Sequence, residues 1–359
     1  MRIGLFGGSF NPIHKGHLAI ANSAIKNLNL DKLIFIPCQK NPFKKDINYV
    51  SGKHRLNMIN LVLEEKMEVS SFEIDRKGIS YTIDTVKYFK NKYKNDELFL
   101  IIGSDNLTKL SKWKDIDIIA ELVKISVFKR EKNINKTNIK KYNCILINND
   151  LYLESSSNFL KGDFDSVDDS VIKYIGSNKL YFDDILKNVL DEKRYLHSKH
   201  ARDFAIKLAK SINFDIKKAS FAAYVHDIAK SLANENKEEA RKKIFDFYNY
   251  QYEILDYQLH QELGYVILKK FGIEEDIAHA VKIHTTLALE LNTLDKIVYL
   301  ADKLCQGRKY DGIQNIRKES IINIDNGLKL VIQKTKEFNL NKGVVFTKEQ
   351  EDIYDKWSK

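Results

Sequence analysis

Cysteine is scarce in this chain of 359 residues, which contains only Cys38, Cys144 and Cys305. An odd number of widely spaced cysteines excludes a disulfide framework and a zinc site built from cysteine, and it favours a reducing compartment. No apolar run approaches the roughly 18 residues that a membrane span requires. The N-terminal MRIGLFGGSF also lacks the apolar stretch and cleavage site of a signal peptide. We therefore expect a cytoplasmic protein without a membrane partner.

Arginine is scarce as well, because it supplies only nine of the 59 basic residues, although the net charge is +10. Base readout and bidentate phosphate contacts favour arginine over lysine. The charge therefore indicates a solvated basic surface near small anionic substrates, and we expect no nucleic-acid partner. The sequence leaves the oligomeric state open, a homodimer included.

Hydrophobic residues make up 43% of the chain, which is enough for packed cores, and the length predicts two domains. In the first half, helical patterns alternate with six apolar runs that predict strands: MRIGLFGG, KLIFIPC, MEVSSFEID, ELFLIIGSD, KISVFKRE and CILIN. This alternation predicts an α/β domain with a parallel sheet, whose ligands bind beyond the carboxyl ends of the strands. The segment 129–143 is expected to be a solvated loop.

From about Asp183 onward, strand patterns nearly vanish and long helical periodicities replace them. The stripe formed by Ala201, Phe204, Ala205 and Leu208 is typical of a helix with one buried face. We predict an α/β domain over residues 1–182, followed by an all-α domain over residues 183–359.

The first predicted strand runs into GGSFNPIHKGH, a glycine-rich turn at the start of a helix. Glycines let the backbone turn sharply and approach a phosphate, and the helix N-terminus offers free N–H groups. Two imidazoles three residues apart lie on one face of the first turn, where they can stabilise charge on a transferred phosphorus and a leaving pyrophosphate. The candidate residues are Gly7, Gly8, Ser9 and Phe10 for binding, and His14 and His17 for catalysis.

This stretch resembles the nucleotidyltransferase superfamily with an H-x-G-H motif. Three further segments, NPFKK, RKGISYTIDTV and IIGSDNLTKLSKW, narrow the resemblance to bacterial nicotinate-nucleotide adenylyltransferases. The resemblance covers about residues 1–182, and it implies a Rossmann-like domain that transfers AMP from ATP, with Mg²⁺, to nicotinate mononucleotide. It implies phosphate contact by Lys44, and a nucleotide site and nicotinate pocket formed by Thr82, Thr85, Gly103, Asp105 and Trp113. A tryptophan face also suits a pyridinium ring on chemical grounds.

Two positions depart from the family pattern. Asn11 stands where the family commonly has aspartate, and ESSSNFLK places Leu160 where the family has an arginine. We expect the adjacent Lys161 to supply the missing contact with the ATP triphosphate. The alternatives are a phosphopantetheine or cytidylyl transferase, or a degenerate nucleotide-binding module.

Six of the nine histidines lie after residue 190, in separate helical segments. Imidazole is the commonest metal ligand, and carboxylates complete such sites. His226 and Asp227 can reach one metal from one helix turn, with His197 upstream and Asp302 downstream. This H…HD…D order resembles the HD phosphohydrolase superfamily. His200 and His279 are expected to have structural roles.

The segments RYLHS, VHDIAK, LHQELG, KIHTT and LDKIVYLADK…GR resemble HD proteins that are symmetrical bis(5′-nucleosyl)-tetraphosphatases, over about residues 190–315. The resemblance implies hydrolysis of diadenosine tetraphosphate to two ADP. His260 and His284 would then ligate a second ion, and Asp227 would be catalytic.

The ligand types suit one or two divalent transition metal ions, iron or manganese before magnesium, and such ions activate water for attack on phosphorus. Lys230 and Arg308 are candidates for holding the outer phosphates. The alternatives are HD activities on deoxynucleotides, cyclic dinucleotides or guanosine tetraphosphate.

Overall fold

The structure is a computed structural model that describes residues 1–43, 49–130, 134, 136–152, 154–249 and 254–359. The chain divides into two compact units, Met1–Tyr174 and Ile175–Lys359. The domain boundary predicted at 182/183 falls a short way into the second unit and stays a prediction. No helix among the described residues is both long and apolar enough to cross a bilayer.

The first unit is built around a parallel sheet, which confirms the predicted α/β class. Its strands are β1 (Arg2–Gly8), β2 (Lys32–Pro37), β3 (Met67–Val69), β4 (Glu97–Gly103), β5 (Lys124–Phe128) and β6 (Ile145–Ile147). They lie in the order β3-β2-β1-β4-β5-β6, and every neighbouring pair is parallel. The order reverses between β1 and β4, and ligands of such sheets bind at the carboxyl ends of the strands beside this point.

Helices connect these strands and follow the last one. They are α1 (Lys15–Asn27), α2 (Gly52–Asn60), α3 (Phe72–Arg76), α4 (Thr82–Lys92), α5 (Ile116–Leu122), α6 (Thr137–Lys141), α7 (Ser156–Leu160) and α8 (Asp169–Ser177), and 3-10 helices cover Ser104–Lys112 and Phe164–Ser166.

Two local predictions for this unit were wrong. The run MEVSSFEID is a strand only as far as Val69, and Phe72–Arg76 is helical. Its second half leaves the sheet because Glu73 turns inward and accepts a hydrogen bond from Thr85 Oγ1 at 2.5 Å. Part of the expected loop 129–143 is the short helix α6, where Asn138 is buried and donates to the carbonyl of Leu107.

The core of the first unit lies against the central strands. β1 and β4 are apolar at nearly every position because helices cover both faces of the sheet. Ile3, Leu5 and Leu100 pack in one cluster with Val86 and Phe89 of α4. This packing holds the two central strands rigidly, and it therefore fixes the positions of the loops that follow them.

The described residues of the second unit form no strand, which confirms the predicted all-α class. Its helices are α9 (Phe182–Val189), α10 (Glu192–Ser211), α11 (Ile216–Val225), α12 (Lys230–Glu235), α13 (Lys237–Tyr248), α14 (Leu259–Lys270), α15 (Glu275–Ile283), α16 (Thr293–Leu304), α17 (Ile313–Ile322), α18 (Ile324–Asn341) and α19 (Lys348–Trp357). α16 is buried along most of its length and packs against α10, α11 and α15. The stripe predicted on α10 is buried as expected.

Candidate active sites

A cavity of about 640 Å³ opens at the carboxyl ends of β1 and β4. The predicted residues that line it are Gly7, Gly8, Ser9, Phe10, His14, His17, Thr82, Thr85, Gly103, Asp105 and Trp113. These residues come from four separate segments of the sequence, and parallel strands bring such segments to one edge of the sheet. The cavity size is typical of small-molecule sites.

Two candidates of the first unit, Lys44 and Lys161, are not among the described residues that line this cavity. Lys44 lies outside the described residues. Lys161 follows α7 and is exposed, and it is absent from the described residues that line the cavity. Serines 155–157 of the same segment do line it. Asn11 accepts a hydrogen bond from the backbone N–H of Val50 at 3.1 Å, so its side chain supports a neighbouring loop.

His14 and His17 lie at the N-terminus of α1 with their ring centroids 3.6 Å apart. The backbone N–H of His14 donates to Nδ1 of His17 at 3.2 Å. Because that nitrogen accepts, the proton of the neutral His17 ring lies on Nε2, which becomes a hydrogen-bond donor. Burial, together with the nearby Arg130, lowers the pKa of His14 to about 3. His14 is therefore neutral near pH 7, and its buried Nδ1 has no hydrogen-bond partner in the part of the chain that the structure describes.

Two glycines let side chains approach the backbone at this edge. A Cβ atom on Gly16 would lie 3.2 Å from Nδ1 of His14, which explains the glycine between the two histidines. A Cβ atom on Gly103 would lie 2.3 Å from Oδ1 of Asp105 and 2.7 Å from Cδ of Arg130. Glycine at the end of β4 therefore allows a carboxylate and a guanidinium to cover the strand end.

The sequence analysis missed several residues of this cavity. Arg130 lines it, and its guanidinium donates to the carbonyl of Glu154 at 3.4 Å. Lys109, Lys112 and Lys114 also line it, which makes this end of the sheet cationic. Arg130 follows the carboxyl end of β5, so the topology rule for parallel sheets could have identified it.

Glu73 is a second residue that the sequence analysis missed. It lines the cavity and is only 6% exposed. Burial raises the pKa of its carboxyl group, although hydrogen bonds from Thr85 and Ser80 oppose the shift. Glu73 therefore links α3 to the segment RKGISYTIDTV, which contains Ser80 and Thr85.

In the second unit, imidazoles and carboxylates from five helical segments meet in a buried cluster. His226 and His284 come directly after α11 and α15, and His197, His260 and Asp302 lie on α10, α14 and α16. Two groups of residues each offer ligand atoms that lie within 4.8 Å of one another. One group is His197, His226 and Asp227, and the other is Asp227, His260 and His284. Asp227 belongs to both groups, so its carboxylate could bridge two ions.

His226 and His284 are oriented in the same way. Nδ1 of His226 lies 2.8 Å from the carbonyl oxygen of Ala223, and Nδ1 of His284 lies 2.6 Å from that of Val281. A carbonyl oxygen can only accept, so Nδ1 carries the proton and the lone pair of each neutral ring lies on Nε2. This arrangement is common for metal-ligating histidines.

The electrostatics of His226, Asp227 and His260 favour the protonation states that bind metals. Burial lowers the pKa of His226 to about 4 and that of His260 to about 2, so both rings are neutral near pH 7. Burial alone would raise the pKa of Asp227, but the imidazoles of His226 and His284 outweigh it and hold that pKa well below its ordinary value. Metal ligands must be deprotonated in this way.

His197 and Asp302 form a close pair, with Nε2 and Oδ1 2.9 Å apart. Burial opposes protonation of His197, but the hydrogen bond to Asp302 and the nearby Cys305 raise its pKa to about 9. Arg308 lies 2.6 Å from Oδ1 of Asp302 and Lys303 lies 2.8 Å from Oδ2. Binding of an ion by His197 would therefore require release of its proton.

Lys230 lies beside His260, and Arg308 lies beside Asp302. The ammonium group of Lys230 is 3.0 Å from Nε2 of His260, and burial lowers its pKa. Arg194, Thr285 and Lys303 were not predicted: Arg194 lies 3.6 Å from Asp227, and Thr285 Oγ1 lies 3.3 Å from Nε2 of His260. Arg194 lies in the segment RYLHS, Thr285 in KIHTT and Lys303 in LADK. Their place in these segments, which carry the resemblance, could have identified them as site residues.

The residues of this cluster fit a metal site. Nε2 of His226 is fully buried and has no hydrogen-bond partner among the described residues, although it lies 3.6 Å from Asp227 and 3.7 Å from Asp302. A buried nitrogen without a partner is costly unless a ligand satisfies it. His279 lies outside both groups and pairs with Asp295 at 3.1 Å, and His200 belongs to neither group.

Comparisons with known proteins match the two units separately and the chain as a whole. The family model described as Cytidylyltransferase-like matches residues 5–162, and the HD domain model matches residues 194–307. A Mycoplasma genitalium protein named "Probable nicotinate-nucleotide adenylyltransferase/Ap4A hydrolase" is 34% identical over 323 residues, which are 86% of this chain and 89% of that protein. A Mycoplasma pneumoniae protein of the same name is 32% identical over 308 residues, which are 84% and 87% of the two chains.

Among solved structures, a Clostridium acetobutylicum protein described as a "predicted HD superfamily hydrolase involved in NAD metabolism" is 32% identical, with a TM-score of 0.45. The match covers 49% of this chain and 94% of that one.

The fold and the two sites define a fusion of a nucleotidyltransferase-like α/β domain with a helical HD domain, and HD domains bind divalent metal. The chain belongs to the family of nicotinate-nucleotide adenylyltransferase/Ap4A hydrolase fusions. It is an enzyme of that family, and both resemblances drawn from the sequence are confirmed.

Proposed function

We propose that the first domain transfers AMP from ATP to nicotinate mononucleotide, which yields nicotinate adenine dinucleotide and pyrophosphate. The observation that supports this most strongly is the single cavity that contains both histidines of the H-x-G-H motif together with Thr85, Asp105 and Trp113. Mg²⁺ accompanies the ATP.

The residues of the cavity have separate roles in this reaction. His17 donates from Nε2 to the phosphate groups, and the neutral His14 contributes a second polar contact. The start of α1 directs the positive end of its helix dipole toward the same phosphates. Arg130 and the three lysines of the cavity balance the charge of the leaving pyrophosphate, so the cationic contact expected from Lys161 has an alternative in Arg130.

Pyrophosphate release tests this activity directly. The purified chain should release pyrophosphate from ATP only when nicotinate mononucleotide is added, and an equal amount of nicotinate adenine dinucleotide should form. Cytidine triphosphate with phosphocholine, and ATP with phosphopantetheine, test the related transferases. Turnover of either of these pairs in place of the nicotinate pair would contradict the assignment.

The second domain hydrolyses diadenosine tetraphosphate symmetrically, with one water consumed and two ADP formed. The observation that supports this is the buried cluster in which Asp227 belongs to two groups of potential ligands. His197, His226, Asp227 and Asp302 would hold one ion, and Asp227, His260 and His284 would hold a second. The donor set favours iron or manganese over magnesium.

Divalent ions held there supply Lewis-acid activation of water and neutralise phosphoryl charge. The chain's own residues orient the ligands: the carbonyl groups of Ala223 and Val281 direct Nε2 of His226 and His284 into the cluster. Lys303 and Arg308 hold the carboxylate of Asp302 and add positive charge where phosphates enter. Lys230 adds a cation on the side of His260.

Metal removal tests this activity. Chelator-treated protein should lose hydrolysis of diadenosine tetraphosphate, and Fe²⁺ or Mn²⁺ should restore it. The products distinguish the reaction type, because symmetrical cleavage forms only ADP, whereas asymmetrical cleavage forms ATP and AMP. Full hydrolysis by metal-free protein would contradict the site. The cytoplasmic location, the homodimer and the absence of nucleic-acid and membrane partners stay predictions.

A further inference from the structure

Cys305 is a buried thiol beside the metal cluster, and neither proposed reaction uses it. It comes directly after α16, three residues beyond Asp302, and its side chain is fully shielded from solvent. Its Sγ lies 3.3 Å from Nδ1 of His197, whereas Nε2 of the same ring faces Asp302. The thiol therefore contacts a candidate metal ligand at the ring nitrogen that is not offered to the ion.

The position of His197 in its helix explains why it needs such a contact. His226 and His284 follow the ends of α11 and α15, where the last carbonyl groups have no partner within the helix and can accept from Nδ1. His197 lies inside α10, where the carbonyl groups of the preceding turn already accept the hydrogen bonds of the helix. An acceptor for its Nδ1 must therefore come from another element, and Cys305 is placed to be that acceptor.

Two further contacts orient the thiol. Sγ of Cys305 lies 3.6 Å from the carbonyl oxygen of Asp302, which can only accept, so the thiol proton is directed to that oxygen. The lone pairs of the sulfur are then available to the Nδ1–H group of His197. Arg317 of α17 donates to the carbonyl groups of Leu304 and Cys305 at 2.7 and 2.8 Å, so the backbone that carries the thiol is held as well.

We propose that Cys305 is a positioning residue, which holds a proton on Nδ1 of His197 and thereby directs Nε2 toward the first of the two ions. The proposal rests on the metal site of the proposed hydrolase. Hydrogen-bond partners of this kind fix the tautomer and the ring orientation of metal-ligating histidines. The second ion takes no ligand from α10, so loss of the sulfur should weaken the binding of one ion and leave the other.

Titration of the metal-free full chain with Mn²⁺ tests this role, because serine and alanine at position 305 differ by one oxygen atom. Cys305→Ala should raise the dissociation constant of one Mn²⁺ about 10- to 100-fold, as is typical when a ligand loses its hydrogen-bond partner. Cys305→Ser keeps an acceptor and should bind Mn²⁺ almost as tightly as the wild type. If the thiol only fills space, serine will weaken binding as much as alanine, and the proposal is overturned.

The matched control is Cys144→Ala. Cys144 is a buried thiol of the first unit, and its Sγ lies 3.8 Å from the carbonyl oxygen of Asn138. This variant should leave the binding of both ions unchanged. Wild-type affinity for both ions in Cys305→Ala would also overturn the proposal, because His197 would then be oriented without the sulfur.

The proton on Nδ1 can be observed directly by NMR. In the full chain labelled with ¹⁵N-histidine and loaded with Zn²⁺, we expect Nδ1–H signals from His197, His226 and His284, and Cys305→Ala should remove only that of His197. Persistence of the His197 signal in this variant, or its absence from the wild type, would overturn the proposal. If Cys305→Ala weakens Mn²⁺ binding but the wild type does not hydrolyse diadenosine tetraphosphate, the hydrolase assignment fails and the role of Cys305 stands.

Discussion

Asp227 is the residue on which both halves of the metal cluster depend. Its Oδ1 lies 3.6 Å from Nε2 of His260 and 3.6 Å from Nε2 of His284, and its Oδ2 lies 3.6 Å from Nε2 of His226. A carboxylate can bridge two ions, whereas each imidazole offers one nitrogen to one ion. The consequences of removing Asp227 and of removing one histidine should therefore differ.

We predict that Asp227→Ala abolishes hydrolysis of diadenosine tetraphosphate and lowers bound metal at both positions. His284→Ala should remove only the second ion and leave one metal per chain with a sharply reduced rate. Metal analysis after anaerobic purification measures both effects. His279→Ala is the control, because His279 lies outside both groups. Wild-type metal content in both cluster variants would show that the histidines only pack a helical core.

His17 is the corresponding residue of the transferase site. We predict that His17→Ala lowers kcat for adenylyl transfer by roughly 10²-fold, as expected for one lost donor to transition-state charge. His54→Ala is the control, because His54 bonds Tyr174 at 2.8 Å and does not line the cavity. Pyrophosphate release measures both variants. An unchanged kcat with a lowered melting temperature would mean that His17 only supports the start of α1.

At the scale of the element, the 3-10 helix Ser104–Lys112 positions Trp113 beside the cavity. The helix follows β4 directly, so Asp105 and Trp113 lie at its two ends. Both residues line the cavity, and Leu107 and Leu110 between them are buried. The buried leucines anchor the element, and the residues at its ends are thereby available to a ligand.

We predict that Trp113→Ala raises KM for nicotinate mononucleotide more than KM for ATP, because the indole stacks on the pyridine ring. Initial rates with each substrate varied in turn measure the two constants. Trp357→Ala, in the second unit, should change neither. An equal rise in both constants would mean that Trp113 supports the fold of the cavity wall and has no preference for the nicotinate part.

α7 is the element at which the sequence departs from the family pattern. Leu160 is its last residue and Lys161 follows it. We predict that Leu160→Arg, which restores the family residue, tightens ATP binding or leaves it unchanged. Isothermal titration with a non-hydrolysable ATP analogue measures this, with Leu160→Met as the control. A large loss of ATP affinity would show that ESSSNFLK has a different backbone path from the family motif.

At the scale of the whole molecule, the two sites belong to two separate compact units. α8 spans the division at 174/175: Tyr174 bonds His54 and Asn57 of the first unit, and a Cβ atom on Gly176 would lie 1.8 Å from the carbonyl oxygen of Phe271 in the second. The separate cores predict that the two activities are independent of each other.

We predict that Asp227→Ala retains wild-type adenylyl transfer and that His17→Ala retains wild-type hydrolysis. Both assays on both variants measure this. A fragment of residues 1–182, which contains all of α8, should also retain transfer activity. Loss of transfer in Asp227→Ala, at an unchanged melting temperature, would show that the division near 182/183 does not separate the functions.

Much of the fold and of both sites could be predicted from the sequence because the responsible residues are local. Apolar runs of strand length, the glycine turn before His14 and the adjacent His226 and Asp227 all appear within a few residues of one another. The two resemblances then supplied distant partners such as Trp113 and Asp302. The helix Phe72–Arg76 was missed because the inward turn of Glu73 depends on Thr85, which comes from another element.

The sequence by itself determined the two domain classes, the H-x-G-H turn and the adjacent His226 and Asp227, because each follows from short-range patterns and residue chemistry. The other ligand candidates came from their helical segments and from the resemblance to HD proteins. Only the tertiary structure decided that Asp227 belongs to both ligand groups, that Arg130 and Glu73 line the transferase cavity, and that backbone carbonyls orient His226 and His284. These features depend on distances between side chains from separate helices and strands. Such distances are set when the elements pack, and no local pattern in the sequence encodes them.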